Sequence, residues 1–329
     1  MARIEHAFPT RTVALTPTMV CPYSTIEFGD SLRHIGEPLY VPEWGTTVLQ
    51  RDCGTGHRDV IGTYPIAVLK PDCDVAGGLD RLARLGVVSA VLTLDDALRP
   101  QLADLRQAFD FVRPFKCHYL YDRRVSAPCY SKHHRHEIRR AMRAVTVARF
   151  DLADRLDEWV ALYRMLVGRR GLDETSHALP RRHHRALAHL PGVAAVGAFI
   201  DGHLVSGHIW LRHDGHAVSH LAASNDAGYA SGAAYAVNAA AIELLDDCQT
   251  LNFGGAAGAV DDLRSGLARF KRGFSNAVAP SYLCGKVLAA DAYATLSRQA
   301  GTMRDTGYFP AYRGPSPPVR QGEAACTTN

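Results

Sequence analysis

The hydrophobic pattern changes rhythm near residue 193. Downstream, three apolar runs follow one another across two-residue turns: Val193 to Ile200, Leu204 to Arg212 and Ala217 to Ser224, separated by Asp201-Gly202 and Asp214-Gly215. Asp-Gly between apolar segments signals a hairpin, because the favoured turn needs positive φ at both central residues. The runs therefore predict a three-stranded antiparallel meander. Upstream the period is helical. After Ser131, Ile138, Met142 and Val145 recur on one face, and Arg135, Arg139 and Arg143 form a cationic stripe on another. Leu156, Trp159, Val160, Tyr163 and Val167 give a second helix over about 154–167. Pro180 opens a short basic one through Arg181, Arg182 and Arg185. Beyond the meander, Ser231 to Asp247 reads as a helix, and Leu251 to Phe253 as a strand ending at Gly254-Gly255.

The first 125 residues are less regular. Val87 to Leu94 is a continuous apolar run and predicts a buried strand after a helical stretch from Gly78 to Arg84. Lys116 to Tyr121 alternates and stops at Asp122, a second strand. Ile61 to Leu69 predicts a strand interrupted by Pro65, which confines it to an edge or a bulge. After about residue 290 the chain becomes rich in Gly, Pro and polar residues, and the part past about 313 is expected to be poorly ordered.

At 329 residues, 47% hydrophobic and 21% charged, the chain can bury two cores and has a soluble globular composition. A net charge of +4 suits an anionic partner without demanding one. No apolar run reaches the length of a membrane span, and the N-terminus lacks an apolar signal core, so a cytoplasmic location is expected. The eight cysteines contain no Cys-x-x-Cys pair and read as reduced thiols. The histidines are numerous, but none is spaced with a carboxylate as zinc would need, and no metal site is expected. His208 and His220, on adjacent strands of the meander, are candidates for lining a cleft; satisfied structural histidines are the alternative.

Charge composition adds one sharper signal. The chain has five lysines against 32 arginines, and one lysine, Lys271, stands between Phe270 and Arg272 in the segment Gly266 to Phe274. Where arginine serves nearly every cationic purpose, this position selects a compact ammonium, the group that can sit against one developing negative oxygen. The competing reading is a surface pair with Asp261 or Asp262.

Five pieces in order carry a family resemblance: Tyr119 to Asp122, Ser131 to Arg143, Asp201-Gly202, Leu251 to Gly255, and Gly266 to Phe274 with its Phe-Lys-x-Gly-Phe end behind a loop. Together they resemble the Fem-type (FemABX-like) aminoacyl-tRNA-dependent transferases of the GNAT superfamily. The resemblance implies an α/β (α+β) fold of two tandem GNAT-like domains, each a mixed central sheet flanked by helices. Residues 1–125 would be a degenerate N-terminal unit, 126–290 the unit carrying the catalytic motif, and 291–329 a partly disordered tail. It implies that an amine attacks an acyl ester or thioester carbonyl, with charged tRNA as co-substrate and no further cofactor. Lys271 would stabilise the oxyanion beside Phe270; His208 or His220, from their place on the meander rather than from the resemblance, is the candidate to take the amine proton. Asn252, Ser224, Tyr235, Tyr64, His118 and Tyr119 are the candidate substrate-binding residues. Arg135, Arg139, Arg143, Arg181 and Arg182 are candidates for the tRNA backbone, a solvated helix face being the alternative.

Two departures from the family pattern bear on the substrates. Ordinary GNAT enzymes hold the CoA pyrophosphate in the link after the meander, which here runs Ser224 to Ala233 with no basic lead residue and with Asp226 inside it. That favours a tRNA-borne donor over CoA, and an acyl-CoA-dependent N-acyltransferase is the alternative. Residues 20 to 45 hold only Arg33 among Lys and Arg, and no coiled-coil insertion is visible. A small-molecule amine, such as a secondary-metabolite scaffold or antibiotic precursor, therefore stands beside a peptidoglycan precursor as acceptor. A non-catalytic GNAT-like binding module is the reading from outside enzymology, and the intact Phe270-Lys271 pair speaks against it.

Overall fold

The computed structural model describes residues 20–314 apart from 55, 173–177, 257–261 and 303–306. Helix α1 (Ile26–Ser31) precedes three antiparallel strands, β1 (Glu37–Val41), β2 (Thr46–Asp52) and β3 (Arg58–Gly62). Helix α2 (Val75–Arg84) crosses to β4 (Val87–Asp95), parallel to β3, and α3 (Leu102–Ala108) leads into the long β5 (Phe111–Asp122). Next come α4 (Lys132–Ala144), β6 (Thr146–Phe150), α5 (Leu156–Arg170) and α6 (Arg181–His189). The meander is β7 (Val193–Ile200), β8 (His203–His213) and β9 (His216–Ser224). Helices α7 (Asp226–Ser231) and α8 (Ala233–Leu244) precede β10 (Thr250–Asn252), and α9 (Gly266–Arg272), β11 (Ala277–Val287) and α10 (Ala290–Gln299) complete the order.

All these strands join one mixed sheet in the order β1-β2-β3-β4-β11-β5-β10-β9-β8-β7-β6. The last strand, β11, is inserted antiparallel between β4 and β5, and β10 joins β5 to the meander. Strand β5 therefore lies at the centre, where strands from both ends of the chain meet. One face of the meander packs under α4 and α8, with Trp210, Phe253 and Tyr119 buried there. The opposite face packs under α1, α5 and α6, around Trp159, Ile209, Leu211 and Val218. A third core around Trp44, Leu82 and Cys284 fills the β2–β4 end. No described helix is long and apolar enough to cross a membrane.

Local chemistry explains the element ends. Asp201-Gly202 and Asp214-Gly215 have φ of 49°, 78°, 45° and 74°, the double left-handed turn that matches strand twist. The Ser131 side chain accepts from His134 N at 3.2 Å and caps α4. Three expectations change. The run from Ile61 does not continue as an edge or bulged strand: β3 stops at Gly62, lies between β2 and β4, and only Ala67 bridges back, to Leu94. Pro65 has no N–H to give the ladder, so the chain leaves it first, and Thr63 Oγ1 bonds Ile66 O instead. The helix read from Ser231 to Asp247 shortens to α8, Ala233–Leu244, and a further helix, α7, precedes it across Gly232, whose φ is 69°. Lys271 lies in the last turn of α9 rather than in a loop, because Ser265 caps a helix there through Ala268 N. Beyond β11, residues 290–299 form α10, and Tyr312 and Arg313 close onto Asp59 through 3.2 Å and 2.5 Å contacts. The disorder expected past residue 313 concerns positions that, from 315 on, lie outside the described residues.

Candidate active site

Alternation on β5 places Lys116 and His118 on one face and Tyr119 on the other. Beside them end β4, at Asp95, and β10, at Asn252. Asp95 is buried; its Oδ1 accepts from Ala97 N (2.9 Å) and its Oδ2 from Asn252 Nδ2 (2.5 Å), while His118 Nδ1 lies 3.3 Å from Oδ2. Asn252 Oδ1 in turn accepts from Gly254 N at 2.7 Å, which fixes the amide orientation. The three side chains thus form one closed network at the carboxyl ends of β4 and β10.

The two glycines after β10 are each required. Gly254 has φ 74°, a region costly for other residues. At Gly255 a Cβ would stand 3.0 Å from Lys116 Cβ and 3.3 Å from His118 Cδ2, so glycine lets the strand end press onto β5. Its carbonyl then accepts from Lys271 Nζ at 2.7 Å. Desolvation, with a smaller contribution from the Lys116 charge, lowers the Lys271 pKa to about 8. Two of the chain's five lysines therefore stand at one glycine pair.

Helix α9 is held from below by aromatic packing. His134 Nε2 donates to Phe270 O at 3.1 Å, and its ring lies 5.1 Å from Phe274 and 5.3 Å from Tyr235. Phe270 packs 4.9 Å from Tyr235. A Cβ at position 273 would stand 1.9 Å from His134 Nε2, which explains the glycine between Arg272 and Phe274. Asp262, the described member of the alternative pair, accepts from Arg264 N instead; Asp261 lies outside the described residues.

Of the residues singled out in the sequence, Lys271, His118 and Asn252 converge here, and Phe270 and Tyr235 lie in the aromatic layer. Tyr119 is buried on the opposite face of β5 under Arg272, whose Nη2 is 3.4 Å from its hydroxyl. His208 and His220 do not share a cleft. Their strands slip register at Ile209/Trp210, which leaves His220 as the unpaired bulge residue. His208 stacks 4.1 Å from Trp210, with Nε2 2.7 Å from Ser219 Oγ; desolvation first, and the Lys271 charge second, push its pKa down to about 3. His220 enters the other core, 6.4 Å from Tyr64, and burial lowers it to about 3 as well. Both rings are neutral at neutral pH and too weakly basic to serve well as proton acceptors.

His220 belongs to a hydrogen-bond chain whose directions can be assigned. Ser31 Oγ donates to Phe28 O (2.6 Å) and so accepts from His183 Nδ1 (2.8 Å). His183 Nε2 then accepts from His220 Nε2 (3.2 Å), and His220 Nδ1 accepts from Tyr23 OH (3.4 Å).

Ser224 Oγ bonds Ser206 Oγ at 2.8 Å, just before α7. In the link that follows, Asn225 caps α7 through Gly228 N, and Asp226 pairs with Arg169, whose guanidinium lies 4.2 Å over Tyr229. A Cβ at Gly228 would stand 2.2 Å from Val205 O, so this turn is packed against the sheet. Arg135, Arg139 and Arg143 are exposed on α4; on α6, Arg182 is exposed and Arg181 pairs with Asp157. Because α4 and α6 cover opposite faces of the meander, the two arginine groups do not form one surface.

Asp95, Lys116 and His134 were not singled out by the sequence. Only Lys116 carried a signal, as a rare lysine two residues from His118 on an alternating strand.

Residues 132–272 match the family described as acetyltransferase (GNAT) domain. No curated protein matches the chain. Among solved structures the chain is similar to FemX, with a TM-score of 0.58 and 12% identity over 83% of this chain and 93% of that one. It is also similar to the C-terminal domain of a putative lysylphosphatidylglycerol synthetase from Agrobacterium fabrum, with a TM-score of 0.56 and 13% identity over 84% and 92% of the two chains. A third likeness is to L-PGS from Bacillus licheniformis, with a TM-score of 0.53 and 12% identity over 82% and 94%. The chain thus shares the fold of these structures, and its residues 132–272 match an acetyltransferase (GNAT) domain.

Proposed function

We propose that the protein is an amide-forming acyltransferase that moves an aminoacyl group from charged tRNA to the amine of a small molecule or a peptidoglycan precursor. The observation that carries the proposal is the half-buried Lys271 ammonium held on the Gly254-Gly255 strand end. An ammonium has three donors, and Gly255 O takes one. When an amine attacks the acyl carbonyl, negative charge grows on the carbonyl oxygen, and a preorganised donor in a desolvated site typically contributes about 3 kcal/mol to the barrier. The packed α7 turn with Asp226 at its start supports a donor other than CoA, because it offers a pyrophosphate a carboxylate where it needs backbone N–H groups. The charged tRNA is the co-substrate, and the chemistry requires no other cofactor. The exposed arginines of α4 are the side that would face its backbone.

Incubation with total charged tRNA and, separately, with acyl-CoAs, each with a panel of amines, tests the reading. Amide product is expected from charged tRNA and is expected to vanish after RNase treatment. Product from acyl-CoA that survives RNase would replace the proposal with an acyl-CoA-dependent N-acyltransferase.

A further inference from the structure

Lys271 provides for the developing oxyanion but not for the proton that the attacking amine must lose. His208 and His220 are removed from that role by burial and by their separate cores. The network around His118 fills the gap. Asp95, Asn252 and His118 come from β4, β10 and β5, far apart in sequence, and meet within 3.3 Å. Nothing in packing requires a buried carboxylate at the end of β4, and such a group is costly unless it is fully bonded. Here it is bonded through Ala97 N, Asn252 and His118.

The geometry points to His118 as the proton acceptor of the amide-forming step, with Asp95 and Asn252 as positioning residues. This inference rests on the proposed function and names a further group in the same site. Two polar atoms face His118 Nδ1: Asn252 Nδ2 at 3.0 Å and Asp95 Oδ2 at 3.3 Å. Asn252 Nδ2 gives a hydrogen to the same Oδ2 at 2.5 Å, so the amide and the ring converge on one carboxylate oxygen. A bare Nδ1 lone pair against that oxygen would be repulsive, whereas Nδ1–H donating to it is a charge-assisted bond, about twice as strong as the neutral one the Asn252 amide could make to Nδ1. Asp95 therefore selects the Nδ1–H tautomer and leaves the Nε2 lone pair as acceptor. Nε2 lies on the ring side away from Asp95, next to Cδ2, which faces Gly255. Gly255 is also the residue whose carbonyl holds Lys271, so the proton acceptor and the oxyanion donor flank one glycine. The His118 side chain keeps 11% of its surface exposed, enough for one ring edge to meet a substrate.

The step balances without another reactant. The amine nitrogen attacks the acyl carbonyl, the C–N bond forms, and its proton passes to His118 Nε2 while Asp95 stabilises the imidazolium through Nδ1–H. The tetrahedral oxyanion, beside Lys271, collapses with loss of the ester oxygen, which takes the proton back from Nε2. The products are an amide and a free hydroxyl, and His118 returns to its starting tautomer.

The test uses the full chain, benzylamine as acceptor, and total charged tRNA or acetyl-CoA as donor, whichever the wild type uses. Amide formation is followed from pH 5.5 to 9.5 for the wild type, His118→Gly, His118→Gln and Asp95→Asn, with thermal melts to confirm folding. Loss of a positioned base predicts a fall of about 100-fold or more in His118→Gln and His118→Gly. Added imidazole should restore His118→Gly in proportion to its concentration, and Asp95→Asn should shift the pH profile as well as lower the rate. Folded His118 variants with near wild-type rates, in an assay where Lys271→Ala is defective, would overturn the role of His118 and leave the proposed function standing. A slow His118→Gly that imidazole does not restore, with an unshifted profile in Asp95→Asn, would reduce the network to a structural one. If the wild type forms amide from neither donor, the proposed function fails and the inference falls with it.

Discussion

Lys271 shows how a site residue can cost stability. Its pKa falls to about 8 from the model-compound value of 10.5 because burial penalises the charged form. Between those values the folded chain binds fewer protons than the unfolded one, so stability rises with pH across that window, and below it the full penalty remains. The shift corresponds to about 3 kcal/mol, and the Gly255 hydrogen bond returns about 1 kcal/mol of it. Lys271→Met is therefore expected to stabilise the protein at pH 7 by about 2 kcal/mol, with the gain shrinking toward pH 10.5, while amide formation is largely lost. Urea unfolding at pH 7 and pH 10, beside the transfer assay, checks both halves; a destabilised variant would show that the lysine is held by more than its carbonyl. The scarcity of lysine made Lys271 legible in the sequence. Asp95 and His134 carried no such mark, since their partners are supplied by strands and helices distant in the chain.

The decisive contact between elements is that of α4 with α9. His134 holds the Phe270 carbonyl, one residue before Lys271, and its ring occupies the space a side chain at 273 would need. Gly273 has φ −70°, so alanine there meets no backbone strain, only the imidazole. Overpacking of this kind costs about 1–3 kcal/mol. Gly273→Ala should lose that much in a denaturation experiment, and adding His134→Ala should recover part of the loss, because it empties the contested space. Strictly additive losses would mean that the two positions do not compete. At this scale the Asp-Gly turns and the Ser131 cap were readable, because a local motif decides each. The register slip that separates His208 from His220 was not, because the pairing of β8 with β9 decides it.

Over the whole molecule, the sheet joins cores of different chemistry, and one contains histidines with no room for an added proton. In the chain from Tyr23 through His220 and His183 to Ser31, each bond already holds one hydrogen, so protonating His183 would set two N–H groups against each other across 3.2 Å, and protonating His220 would set Nδ1–H against the Tyr23 hydroxyl hydrogen across 3.4 Å. Burial lowers His208 and His220 to about 3 and His184 to about 4, from 6.5, and lowers His183 as well. Folded-state values below the unfolded ones mean that stability is complete above pH 6.5 and is lost as pH falls from there toward 3–4. Each such histidine withdraws about 2 kcal/mol by pH 5, so the denaturation midpoint should drop steeply between pH 6.5 and 5, and His220→Phe should flatten that slope. A midpoint that stays level to pH 5 would refute the assignment.

What the sequence determined by itself was set by neighbours along the chain: the helical and alternating periods, the Asp-Gly turns, the capped helix after Ser131, and the isolated Phe270-Lys271 pair. The tertiary structure decided what depends on which strands lie side by side. Inserting β11 between β4 and β5, and joining β10 to β5, brings Asp95, His118, Asn252 and Lys271 from four elements to one glycine pair. The same pairing sends the two meander histidines to opposite faces, because a strand's period fixes sides only relative to its partner's register.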